Sequence, residues 1–86
     1  MIKSFDGKSP VIHPSAYVSH AALIIGDVEI GENCGIWPFA VLRGDLGKVK
    51  IGKNSHITEQ TLITGSVDIG EGSIIGYGVA VESCKI

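Results

Sequence analysis

The chain has 86 residues, 12 of them glycine, and its 7 basic and 9 acidic side chains leave a net charge of −2. This length indicates one domain, the low and mixed charge excludes an electrostatic grip on nucleic acid, and no apolar run approaches the length of a membrane-spanning helix. Two cysteines are too few for a disulfide framework, so we expect a reducing, cytoplasmic setting.

Residues 1–11 precede any regular pattern, and we expect them to cap one end of the single domain. Residues 12–86 carry an aliphatic side chain at every sixth position, with one interruption of three residues. A helix would need apolar residues three and four apart, so the spacing instead predicts the hexapeptide repeat of a parallel β-helix. The twelve aliphatic positions, all expected to be buried, are Ile12, Val18, Ile24, Ile30, Ile36, Leu42, Ile51, Ile57, Ile63, Ile69, Ile75 and Val81.

A second series lies two residues before the aliphatic positions and holds only small or β-branched residues, from Ala16 to Val79. With three repeats per turn, the chain predicts four triangular coils, whose first aliphatic residues are Ile12, Ile30, Ile51 and Ile69. Equivalent residues of successive coils should then stack in ladders about 4.8 Å apart.

The interruption falls within the six residues Arg43-Gly44-Asp45-Leu46-Gly47-Lys48, which contain two glycines. Glycines between periodic segments are typical of loops. We therefore expect this segment to protrude as a loop from one corner of the second coil.

Short motifs accompany the repeat in a fixed order: Phe5-Asp6-Gly7-Lys8, then Ile36-Trp37-Pro38, then Val41-Leu42-Arg43-Gly44-Asp45. Together they resemble the γ-class carbonic anhydrase and ferripyochelin-binding-protein-like family. The resemblance covers essentially the whole chain and corresponds to the N-terminal half of the family domain. It implies that the predicted all-β fold is a left-handed parallel β-helix, that the chain forms a homotrimer, and that three histidines from two subunits hold a metal ion.

The resemblance places the three histidine positions on Thr64, Tyr77 and Glu82. Catalytic zinc is held by imidazole, thiolate and carboxylate ligands, and hydroxyl groups are poor replacements for imidazole. We therefore expect no bound metal and no other cofactor. Zinc or iron would be expected only if these three positions still bound metal.

Four further family positions fall on Arg43, Asp45, Thr58 and Glu59. The resemblance implies that Arg43 and Asp45 form ion pairs near the subunit interface. We assign a catalytic role to none of the four, because neither a nucleophile nor a metal accompanies them.

The repeat places Arg43, Thr64 and Glu82 on one ladder. It places Glu59 one coil below Tyr77 on another, where a hydrogen bond between the two is one interpretation and an acid–base pair the alternative.

The histidines do not rebuild the lost ligand set. His13 lies in the first coil, far from the ligand positions, and His20 lies on the Tyr77 ladder but three coils below it. His56 is expected at a corner, facing outward. We interpret them as ordinary surface or interface residues, since isolated titratable groups seldom form sites.

Three classes of function stay open, with the balance against enzymatic activity. The first is a non-catalytic trimeric assembly module that has lost the zinc site. The second is an enzyme, either a divergent metal-dependent carbonic anhydrase that hydrates carbon dioxide or a hexapeptide acyltransferase, although no long cofactor-covering loop is evident. The third is a shortened or fragmentary form of a longer domain.

The expected partner is another copy of the same chain, and neither nucleic acid nor a membrane is expected. The trimer should form through the faces that carry Trp37, Arg43 and Tyr77, since an exposed aromatic residue on an outer face indicates an interface. We also expect two trimers to pair end to end through the open edge of the fourth coil.

Overall fold

The computed structural model describes all 86 residues, and all of its regular secondary structure is β-strand. The strands pair in parallel and wind into a left-handed β-helix of about four triangular coils, as the repeat and the resemblance predict. No helix of the length and apolar character that a membrane crossing requires is present. The strands are β1 (Ile2–Lys3), β2 (Val11–Ile12), β3 (Tyr17–Val18), β4 (Leu23–Ile30), β5 (Gly35–Ile36), β6 (Val41–Ile51), β7 (His56–Ile57), β8 (Leu62–Thr64), β9 (Val67–Ile69), β10 (Ile74–Ile75) and β11 (Ala80–Glu82).

Three faces result from this winding, and each is named by its inward aliphatic ladder. On face A, Ile12, Ile30, Ile51 and Ile69 are in register. On face B the ladder is Val18, Ile36, Ile57 and Ile75. On face C it is Ile24, Leu42, Ile63 and Val81. The predicted coils and their stacking are therefore confirmed.

The core consists of these aliphatic residues and the small residues beside them. Ten of the twelve predicted positions are buried, but Ile12 and Val18 are only partly buried. The prediction is wrong for these two because β2 and β3 have strand neighbours on one side only. Ile24, in the same coil, is fully buried, since β1 pairs beneath it through Ile2.

Polar members of the small-residue series satisfy backbone carbonyls at the corners. The hydroxyl of Ser55 donates to the carbonyl of Gly70 at 3.0 Å, and that of Thr61 donates to Gly76 at 3.1 Å. The thiol of Cys34 donates to the carbonyl of Gly52 at 3.1 Å. Because buried polar groups need partners, a short side chain with one donor suits these positions better than a larger one.

The three-residue insertion does not form the predicted loop. It lies within β6, which runs unbroken from Val41 to Ile51 while pairing with β4 and shifting register after Gly26. A Cβ atom on Gly44 would lie 2.5 Å from the carbonyl oxygen of Asp27, so only glycine lets the two strands approach here. The extra residues are absorbed as a bulge that pushes Leu46 into solvent, where 68% of it is exposed.

Replacing Ile57 by Asp should abolish folding. Ile57 has no exposed surface, and an unpaired carboxylate in the apolar prism costs several kcal/mol, comparable with the whole stability of a domain this small. Circular dichroism and thermal melting would report the loss. Val11→Asp is the matched control, because Val11 is 67% exposed. Cooperative melting of Ile57→Asp near the wild-type temperature would contradict this account of the core.

Candidate functional site

The ladder predicted for the lost ligand positions exists on the outer side of face C. Arg43 in β6 pairs with Thr64 in β8, and Thr64 pairs with Glu82 in β11. Their neighbours Leu42, Ile63 and Val81 point inward, so this column points outward because side chains alternate along a strand. Three chemically different polar groups are thereby stacked along one edge of the molecule.

The hydroxyl of Thr64 is not presented to solvent. Thr64 is 9% exposed, and its Oγ1 atom is buried without a hydrogen-bond partner. Glu82, by contrast, is exposed. Within one chain, no three His, Cys, Asp or Glu side chains come together in a group that could hold a metal ion.

The corner between faces B and C carries Tyr77 and Glu59 in successive coils. The backbone N–H of Gly78 donates to the carbonyl of Glu59 at 3.1 Å, so the predicted stacking of the two residues is confirmed. Their side chains form no hydrogen bond, because both project into solvent, and Tyr77 is 75% exposed. Thr58, beside Glu59, uses its hydroxyl to donate to the carbonyl of Ile75 at 2.6 Å.

Arg43 and Asp45 form an ion pair, with Nη2 of the guanidinium 2.8 Å from Oδ2 of the carboxylate. The hydrogen bond from Arg43 lowers the pKa of Asp45, and the same contact raises the pKa of Arg43. The second oxygen of Asp45, Oδ1, is buried without a partner. The pair therefore ties the bulged segment of β6 to the start of the same strand.

His56 lies on the outer side of face B and belongs to an aromatic column that the sequence did not reveal. Nε1 of Trp37 donates to Nδ1 of His56 at 3.3 Å, and their rings stack with centroids 6.2 Å apart. Tyr17 packs on the other side of Trp37 at 5.0 Å. Gly35 makes this packing fit, because a Cβ atom there would lie 2.5 Å from the His56 ring and 2.8 Å from the Trp37 ring. The expectation of His56 at an outward corner is wrong, since it lies in β7 and is half-buried.

The other two histidines are exposed, as expected for surface residues. Nδ1 of His13 lies 2.8 Å from the Ser15 hydroxyl. His20 lies near the N-terminus, whose amino group contacts its carbonyl at 3.3 Å. Neither approaches the column of Arg43, and the three histidines do not cluster.

Charge is distributed very unevenly over the three faces. Face B, the corner between faces B and C, and the part of face C up to its inward ladder consist of residues 16–24, 34–42, 55–63 and 73–81, and the column of Arg43, Thr64 and Glu82 lies just beyond them. These segments contain Glu59 and no other Asp, Glu, Lys or Arg, although the chain has 7 basic and 9 acidic residues. The same segments expose large apolar side chains, among them Phe39 at 64%, Ile74 at 72% and Tyr77 at 75%. We call this region the uncharged surface.

The fold and repeat pattern define a hexapeptide-repeat protein, and comparison with known proteins agrees. The family described as Bacterial transferase hexapeptide (six repeats) matches residues 9–44. Carnitine operon protein CaiE from Escherichia coli strain SMS-3-5 / SECEC is 37% identical over 87 aligned positions, which cover 96% of this chain and 44% of that protein. CaiE from Escherichia coli O157:H7 matches to the same extent.

A solved structure gives the same result. The hexapeptide transferase family protein from Anaplasma phagocytophilum superposes with a TM-score of 0.95 at 36% sequence identity, covering 98% of this chain and 51% of that one. The chain therefore carries the hexapeptide repeat and is similar to CaiE over nearly its whole length, which confirms the family resemblance predicted from its motifs. It spans about half the length of the relatives it matches.

Removing the Arg43–Asp45 ion pair should change how stability depends on pH. Because the pKa of Asp45 is lowered in the folded state, the pair stabilises the fold above the unfolded-state pKa, and this contribution is lost as pH falls through the lowered value. The stability difference between wild type and Asp45→Asn should therefore be largest near neutral pH and shrink in acid. Urea unfolding across the acid range measures it.

Arg43→Gln provides the control, because it removes the cause of the lowered pKa and keeps the carboxylate. It should flatten the pH dependence of the unfolding free energy over the same acid range as Asp45→Asn. A difference between wild type and Asp45→Asn that is equal at all pH values would contradict this role for the pair.

Proposed function

We propose that this chain is a non-catalytic, γ-carbonic-anhydrase-like assembly module that forms a homotrimer through the uncharged surface. The observation that carries the proposal is that the uncharged surface contains one charged residue, Glu59, and exposes several large apolar side chains. Continuous exposed apolar regions of this kind mark protein interfaces. A single chain of this size buries only a modest fraction of its surface on folding, so association would stabilise it by burying more apolar surface.

The arrangement of the uncharged surface supports a three-fold ring. It covers face B and the adjoining part of face C, which meet at one corner, where Phe39, Glu59 and Tyr77 lie in successive coils. In a ring built from head-to-tail contacts, each subunit offers one patch to each neighbour, and the ring closes when the rotation does. Face B would contact one neighbour and face C the other, with the shared corner directed towards the axis.

The residues at the family's ligand positions support the absence of zinc chemistry. Thr64, Tyr77 and Glu82 supply a hydroxyl, a phenol and one carboxylate, with no imidazole. The Thr64 oxygen is also covered within its own chain and so is not directed at a neighbouring subunit. This donor set does not fit a three-histidine zinc centre, and no metal-dependent step is assigned to it.

Two parts of the proposal rest on the sequence alone. The cytoplasmic setting follows from the low cysteine count, and end-to-end pairing of two trimers stays a prediction.

Charge placed on either half of the uncharged surface should dissociate the trimer. Wild type should sediment as a trimer at micromolar concentration, whereas Ile74→Asp on face B and Leu62→Asp on face C should each sediment as a monomer. Val11→Asp, on face A, is the matched control and should remain trimeric. A monomeric wild type would refute the assembly module, and trimers in all three variants would refute its interface.

Restoring the histidines should restore metal binding. Purified wild type should contain no stoichiometric zinc, iron or cobalt by elemental analysis. The combined variant Thr64→His, Tyr77→His and Glu82→His should bind zinc in the trimer, because three imidazoles then converge from two subunits as the family resemblance implies. Glu82→His alone is the control, since one imidazole cannot supply the set. One chelator-sensitive metal per wild-type chain would overturn the loss of the site.

A further inference from the structure

A groove of about 460 Å³ lies on face A and its corner with face C, away from the uncharged surface. Its lining includes three lysines, Lys48, Lys50 and Lys85, together with Ser66, Ser83 and Cys84. One carboxylate, that of Asp68, also lines it. Three of the seven cationic side chains of a chain whose net charge is −2 therefore meet in one groove.

The ammonium groups of this groove are largely free of partners. Lys50 and Lys85 form no ion pair, and Asp68 between them forms none either. Lys48 contacts Glu29 at 3.3 Å, outside the groove. A concave surface with an excess of cations concentrates the positive potential and attracts anions, while the serine hydroxyls add donors for oxygen atoms.

The backbone register holds these groups in fixed positions. The backbone of Lys50 in β6 pairs with that of Asp68 in β9, and the backbone of Asp68 pairs in turn with that of Lys85. Each of the two serines lies against a glycine of the preceding coil: a Cβ atom on Gly47 would clash with the Ser66 hydroxyl, and one on Gly65 with the Ser83 hydroxyl. The insertion in β6 thus brings Lys48 to the groove and leaves room for both hydroxyls.

We propose that this groove binds a small multivalent oxyanion, held by the ammonium groups of Lys48, Lys50 and Lys85. Its volume lies in the range of small-molecule sites, and a ligand with two or more negative groups can reach several ammonium groups at once. The carboxylate of Asp68 repels such a ligand, so removing its charge should strengthen anion binding.

Cys84 provides a reporter of occupancy inside the groove. It is exposed, whereas Cys34 is 2% exposed in the core, so iodoacetamide should alkylate Cys84 selectively. Pyrophosphate and citrate, at constant ionic strength, are the probes for phosphate and carboxylate chemistry. Either should slow alkylation of the wild-type protein in a saturable manner, and the more effective one identifies the class of anion. Each variant is normalised to its own alkylation rate without ligand.

Removing the lysine charges and removing the Asp68 charge should change the protection of Cys84 in opposite directions. Lys50→Gln with Lys85→Gln should raise the anion concentration that halves the alkylation rate at least about tenfold, which corresponds to the loss of one charge-assisted hydrogen bond. Lys50→Arg with Lys85→Arg keeps both charges and should keep the protection. Asp68→Asn should lower it about threefold, as removal of an exposed like charge predicts. Lys3→Gln with Lys53→Gln removes the same charge outside the groove and should leave protection unchanged.

The proposal is overturned if neither probe protects Cys84 beyond an equal ionic strength of sodium chloride. It is also overturned if the paired glutamine variants inside and outside the groove lose protection equally. Because face A takes no part in the proposed trimer interface, sedimentation of the same samples reports separately on assembly.

Discussion

The six-residue register of inward aliphatic side chains is the constraint on which the rest of this structure depends. Each inward residue must lie above its counterpart in the preceding coil, because parallel pairing leaves the prism no other way to close. The three ladders of faces A, B and C satisfy this condition from the second coil to the fourth. Any departure from six residues must therefore be absorbed on the outside of the prism.

The bulge in β6 shows how such a departure is accommodated. Leu42 and Ile51 keep their places in the core on either side of it. The extra residues turn outward at a corner where Gly44 leaves room for the backbone of β4. The ion pair between Arg43 and Asp45, at 2.8 Å, then ties the beginning of the bulge to the part of β6 that precedes it. One irregularity thereby shapes two surfaces, the polar column on face C and the basic groove that Lys48 joins.

The uneven distribution of charge divides the molecule by function. Because the inward positions are the same on every face, only the outward positions can differ, and they do. Face A stacks Glu29, Lys50, Asp68 and Lys85 in alternating sign, which suits contact with water and with charged ligands. Face B and the adjoining part of face C expose aromatic and aliphatic residues instead. A repeat that keeps the core constant in this way is free to vary its exterior face by face, which is consistent with the range of relatives that share this fold.

The sequence by itself determined the architecture. Periodicity alone predicted the parallel β-helix, its four coils and ten of the twelve core positions, because a ladder of identical environments leaves a direct trace in residue type. Motif order predicted the family, which the similarity to CaiE and to the Anaplasma phagocytophilum structure supports. The column of Arg43, Thr64 and Glu82 was also predictable, since adding one coil length locates each neighbour.

Tertiary structure decided what depends on the shape of the corners and on contacts across ladders. The insertion is a bulge and not a loop because β4 continues to pair with it, which composition does not encode. The partial exposure of Ile12 and Val18 depends on which strands lie beneath them. The contact of Trp37 with His56, and the meeting of Lys48, Lys50 and Lys85, join residues whose spacing follows no single repeat. Their proximity is set by side-chain direction and by the bulge, which only the folded coils fix in space.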